Sequence, residues 1–149
     1  MFQKILLPAL LAAAALPLFS CEKRTDAPSD ACYTGRIVAL TCENGVLIDV
    51  DPRFPIGQPT ARNSAGGPVA LGKNVISVSN SRDISGISGI SLSTNPGAQS
   101  PVGLRLYFSA QPDSVNHGLG CYVADSVRSP VPALRLSNVS TTACQPAGH

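Results

Sequence analysis

The sequence predicts an all-β fold, a small closed or partly open barrel of about six strands. Three observations carry that prediction. Short apolar runs recur with a period of two, the signature of half-buried strands. Thirteen glycines and 13 prolines, nearly all beyond residue 20, punctuate those runs. No segment sustains a helical period.

The strands follow in order. Tyr33 to Leu40 is the first. In the second, Val46, Ile48 and Val50 alternate with Leu47, Asp49 and Asp51, which places Leu47 on the solvent side with the two aspartates. Ile76 and Val78 alternate with Ser77 and Ser79 in the third. The cleanest alternation sets Leu104, Leu106 and Phe108 against Arg105, Tyr107 and Ser109. Val123 and Val127 mark a fifth strand, and Leu134 and Leu136 a sixth after Pro132.

Between the third and fourth strands, Ile84, Ile87 and Ile90 recur every three residues. Asp83 stands where it could cap a short helix. Gly86 and Gly89 would each cost such a helix about 1 kcal/mol relative to Ala. One or two loose turns, or a loop tucked under the core, is the expectation. This order of elements resembles the oligonucleotide/oligosaccharide-binding (OB) barrel, by element order alone. The alternative is an immunoglobulin-like sandwich, which calls for about seven strands and a buried Trp. The chain has no Trp.

The N-terminus reads as a secretory signal. Lys4 supplies the positive charge, and Ile5 to Phe19 form an apolar run. A transmembrane helix needs about 20 apolar residues, and this shorter run is broken by Pro8 and Pro17. Leu18-Phe19-Ser20-Cys21 resembles the bacterial lipoprotein box, with Leu three before the cysteine and a small residue directly before it. The resemblance implies cleavage before Cys21 and acyl chains, palmitate among them, on its sulfur and amine. It implies a small envelope lipoprotein of the kind found in Bacteroidetes, held to the membrane through Cys21. Glu22 fits outer-membrane anchoring, with the domain facing the periplasm or the cell surface. The expected organisation is a signal peptide over 1–20, a polar tether over 21–31 and a single β domain over 32–149. The charge run Glu22-Lys23-Arg24 within the tether reads as solvated.

Charge and aromatic content narrow the function classes. The chain carries 11 Lys plus Arg, Lys4 among them, against 9 Asp plus Glu, so the mature part is close to electroneutral. That argues against nucleic-acid binding, which draws on clustered basic charge. Tyr33, Phe54, Tyr107, Phe108 and Tyr122 are the aromatics of the mature chain, a thin supply for stacking bases or sugars.

With Cys21 set aside, Cys32, Cys42, Cys121 and Cys144 form an even set, and in an exported domain they read as two disulfides. If Tyr33 to Leu40 is extended, Cys32 and Cys42 lie about 30 Å apart, against the roughly 7 Å a bridge allows. That disfavours Cys32–Cys42 and staples both ends of the first strand to the C-terminal hairpin. Against it, Cys121 and Cys144 could face each other across a hairpin turning at Ser129 to Pro132, forcing the other pair. The sequence leaves both open. A metal site is disfavoured because no Cys-x-x-Cys is present and histidines number two; no metal or cofactor is expected.

Catalytic chemistry is scarce. His117 sits in the turn-like Asn116-His117-Gly118, and His149 is the last residue. No Gly-x-Ser-x-Gly elbow accompanies them. Asp49 and Asp51 share a strand face but lack the loop register of an EF-hand calcium site, so solvation is their reading. Asp113-Ser114-Val115 and Asp125-Ser126-Val127 resemble the acceptor of the general O-glycosylation system of Bacteroides-type bacteria, which implies Ser114 and Ser126 as acceptors, Ser114 being the better placed beside Pro112. Asn138-Val139-Ser140 matches the eukaryotic N-linked sequon, whose machinery a bacterial lipoprotein does not meet. The expected function is a lipid-anchored binding or accessory module of the envelope, with an envelope protein as its partner. The alternatives are a purely structural surface lipoprotein and an enzyme of unrecognised chemistry.

Overall fold

The computed structural model describes residues 31–87, 90–92, 99–113, 127 and 130–144. Strand β1 spans Tyr33–Thr41 and β2 spans Gly45–Val50. They form an antiparallel pair closed by a turn at residues 42–44. In that turn the Thr41 hydroxyl donates to the Gly45 carbonyl at 3.2 Å and accepts from the Asn44 N–H at 3.1 Å. Strands β3 (Gln58–Ser64) and β4 (Gly67–Val78) form a second antiparallel hairpin. Helix α1 is one turn, Arg82–Ser85, and strands β5 (Arg105–Pro112) and β6 (Ala133–Ser140) complete the described elements.

The strands hydrogen-bond in the order β2-β1-β5-β6-β4-β3, and β2 also pairs with β4. That extra pairing closes β1, β2, β4, β6 and β5 into a ring. Within it β4 and β6 run parallel and the other neighbours antiparallel. The all-β expectation holds, and the helix falls between the third and fourth strands of the ring. The ring is not a clean barrel, because β3 and the first half of β4 extend from it as a largely exposed ribbon.

The main core fills the ring. Ile37, Ile48, Ile76, Ile84, Leu106 and Phe108 are wholly or almost wholly buried there, and Leu134 and Leu136 close it from β6. A second cluster, Ala39, Leu47 and Val75, packs with Val38, Leu71, Val127 and Val131. This corrects the expected solvent-facing Leu47. The alternation along β2 is real, but its outer face is covered near Leu47, so Leu47 is as buried as Ile48. Ser77 on β4 and Ser79 just beyond its end are likewise out of water. Their hydroxyls are satisfied, Ser77 donating to the Asn44 carbonyl and Ser79 to Asp113 Oδ2 at 2.9 Å. A register shift in β1 between Ile37 and Ala39 lets one strand feed both clusters.

Two further expectations change. Asp83 does not cap α1: Ser81 occupies the N-cap position with no side-chain cap bond. The Asp83 carboxylate instead accepts the Leu136 N–H at 2.9 Å, tying the helix to β6. Of the strand expected at Val123 and Val127, Val127 makes an isolated bridge to Arg62 and Val123 lies outside the described residues.

Candidate functional site

Three adjacent strands leave their polar outer positions side by side. On β1 these are Thr34 and Arg36, on β5 Arg105 and Tyr107, and at the end of β2 Asp49 and Asp51. Register aligns them in rows: Arg36 stands opposite Asp49 on one side and opposite Arg105 on the other, and Thr34 stands opposite Tyr107. Pro52 and Arg53 follow β2 and raise one wall, making an open cleft of about 360 Å³. The strands can lie this close because β1 has Gly35 near its start. A Cβ there would sit 2.5 Å from Ile48 Cγ2 and 3.0 Å from the Asp49 carbonyl oxygen.

The wall is held by two side chains. Asp51 Oδ1 accepts the Arg53 N–H at 3.0 Å and Arg53 Nε at 2.9 Å, and Oδ2 takes the other guanidinium arm at 2.9 Å. These side-chain and backbone bonds from Arg53 pull the Asp51 carboxyl down to about 2, so it is ionised at any physiological pH. The Arg53 guanidinium also lies 5.9 Å from the Phe54 ring centre. Phe54 in turn stands edge-on to Tyr33 at 5.3 Å, which anchors the wall to the core.

Asn74 is the second tie. Buried on β4, it accepts the Gly57 N–H at 2.6 Å through Oδ1. Its Nδ2 donates to the Val50, Asp51 and Phe54 carbonyls at 3.1, 3.3 and 2.7 Å. Its own N–H donates to Asp49 Oδ1 at 3.1 Å. The loop over 51–57 is thereby bound to β4, and Asp49 is oriented from behind.

Electrostatically the cleft is unequal. Arg53 is matched by Asp51, and one oxygen of Asp49 is taken by Asn74. Arg36 and Arg105 are exposed, and no ion pair joins either to a carboxylate among the described residues. Arg36 and Arg105 are thus like charges on directly opposite positions of neighbouring strands, an arrangement that is destabilising.

No protein-family model, curated protein or solved structure matches this chain.

The residues expected from sequence fall in several places. Cys32 and Cys144 form a disulfide with Cα atoms 6.0 Å apart, across 112 positions of chain. This corrects the alternative in which Cys144 paired with Cys121: the bridge sets Cys144 beside the start of β1. Cys42 is disulfide-bonded as well. Cys21, Ser114, Ser126, His117, Cys121 and His149 lie outside the described residues. Asp113, which precedes Ser114, has its Oδ2 bonded to Ser79 and 3.6 Å from Arg135 Nε. Asn138 lies exposed on β6 with φ of 51°, a left-handed conformation that Asn tolerates. Asp49 and Asp51 do share one face, as their spacing predicts, but that face is the cleft and both carboxylates have partners. Sequence reasoning missed Arg36 and Arg53 as site residues. Arg105 was legible as an outward position on β5, whereas its approach to Arg36 depends on strand pairing.

Proposed function

We propose that this protein is a lipid-anchored binding module of the bacterial envelope, tethered through Cys21 and presenting the cleft between β1, β2 and β5 as its contact surface. The observation that carries the reading is the Cys32–Cys144 disulfide. Such a bridge persists in oxidising compartments, and it begins eleven positions after the cysteine of the lipobox-like stretch. The tether over 21–31 gives the domain up to about 35 Å of reach from a membrane. Guanidinium, carboxylate and hydroxyl groups gathered on a rigid sheet suit recognition of a polar ligand.

Fractionation of bacteria expressing the wild-type chain and a Cys21→Ser variant tests this reading. The wild type is expected in the membrane fraction and the variant in the soluble fraction. Crosslinking on intact cells should give a reproducible partner that is lost when Arg36 and Arg105 are changed together to Gln. A wild-type chain recovered soluble and unlipidated overturns the anchoring, and an anchored chain without a cleft-dependent partner leaves the purely structural role in its place.

A further inference from the structure

We propose that the cleft takes a phosphate group, bridged between Arg36 and Arg105, with Tyr107 and Thr34 completing the contact. The inference rests on the binding-module reading and names the ligand chemistry of that surface.

The argument begins with what the other charged groups leave over. Asp51 and Arg53 bond each other through paired contacts, which leaves Arg53 matched, while the Asp51 charge also acts on Arg105 at longer range. Asp49 stands opposite Arg36 in register, but its Oδ1 is turned to the Asn74 N–H. Arg36 and Arg105 are then two exposed guanidinium groups on cross-strand partner positions, with backbones about 5 Å apart. Each offers a planar fork of N–H donors that matches two oxygens of one anion. A phosphate has enough oxygens to accept from both forks at once, which a single carboxylate does less completely.

Two positions further along the same face, Thr34 and Tyr107 are themselves cross-strand partners and bring one hydroxyl each to the cleft. Hydroxyls donate to phosphate oxygens as readily as to a sugar. Gly35 keeps the backbone of β1 seated against Ile48 between these two rows, so the arginines project from a rigid sheet. The cleft volume of about 360 Å³ admits a phosphate carrying a substituent of sugar or headgroup size. The phosphate can belong to a soluble phosphorylated molecule or to a lipid headgroup; the recognising groups are the same.

The full chain with its disulfides intact is titrated with inorganic phosphate in low-chloride buffer and followed by phosphorus-31 NMR line broadening. Saturable binding is expected. Arg36→Gln and Arg105→Gln should each weaken it by about tenfold, whereas Arg82→Gln, which removes an exposed cation on α1 that does not line the cleft, should leave it unchanged. All three variants should retain the wild-type thermal transition. The Cys21→Ser chain should bind phosphate as the wild type does, so a failure of the anchoring reading leaves this result standing. A second arm measures association of Cys21→Ser with phosphatidylcholine vesicles with and without phosphatidylglycerol. Phosphatidylglycerol-dependent binding lost in Arg105→Gln identifies a headgroup as the source; its absence beside saturable binding of inorganic phosphate identifies a soluble phosphorylated ligand. No saturable binding of either probe, or binding unchanged in both Arg36→Gln and Arg105→Gln, overturns the proposal.

Discussion

Asn74 shows how one buried amide can fix a functional wall. Its side chain bonds the end of β2 at Val50 and the loop over 51–57, and its backbone N–H holds Asp49. The loop fits against it closely, since a Cβ at Gly57 would lie 2.5 Å from the Asn74 carbonyl. Truncating the amide would leave the Gly57 N–H and several carbonyls without their partner in a partly buried site. Asn74→Ala is therefore expected to destabilise the fold by about 3 kcal/mol, read as a lower midpoint in urea with an unchanged slope. A loss below about 0.5 kcal/mol would show that the loop stands without it. Nothing in the sequence marks this role. The partners of Asn74 are 17 to 25 positions away in the chain.

At the scale of elements, the strands that alternate between core and water were legible and the others were not. β1, β2, β5 and β6 lie where their periodicity puts them, and so does the end of β4. β3 was missed because Gln-Pro-Thr-Ala-Arg-Asn-Ser carries almost no apolar period; it is a strand by pairing with β4, and its side chains stay largely in water. Leu47 was misplaced for the opposite reason. Period two identifies two faces but does not say that one of them meets a second apolar cluster. The spacing of Ile84, Ile87 and Ile90 pointed to loose turns or a loop under the core; one helical turn forms there with Ile84 wholly buried, and its polar contacts were not legible. Asp83→Ala should cost about 1 to 2 kcal/mol by orphaning the Leu136 N–H, while Ser81→Ala should be close to neutral because Ser81 makes no cap bond. Thermal denaturation of the two variants checks the order; a larger loss for Ser81→Ala would restore capping as the role of this segment.

For the whole molecule, the Cys32–Cys144 disulfide joins the beginning and end of the described domain. Closing a loop of that length is worth about 4 to 5 kcal/mol in the chain-entropy account, a large share of the stability of a domain this size. It also sets the start of β1, and thus Thr34 and Arg36, against a tied C-terminal end. The even cysteine set was readable from composition, but the choice of pairing required the ring to bring Cys144 back to Cys32. The cleft was less legible still. Arg36, Arg53 and Arg105 are scattered through a chain of nearly balanced charge, and only the pairing of β1 with β2 and β5 gathers them. The most direct measurement of the account is the non-reduced peptide mass map of the protein recovered from its own membrane fraction. It should contain a cross-linked species joining the peptides of Cys32 and Cys144, and an N-terminal peptide beginning at acylated Cys21. Free thiols at Cys32 and Cys144 in an unlipidated, soluble chain would contradict it, and the cysteines would then have to be read as ligands or nucleophiles.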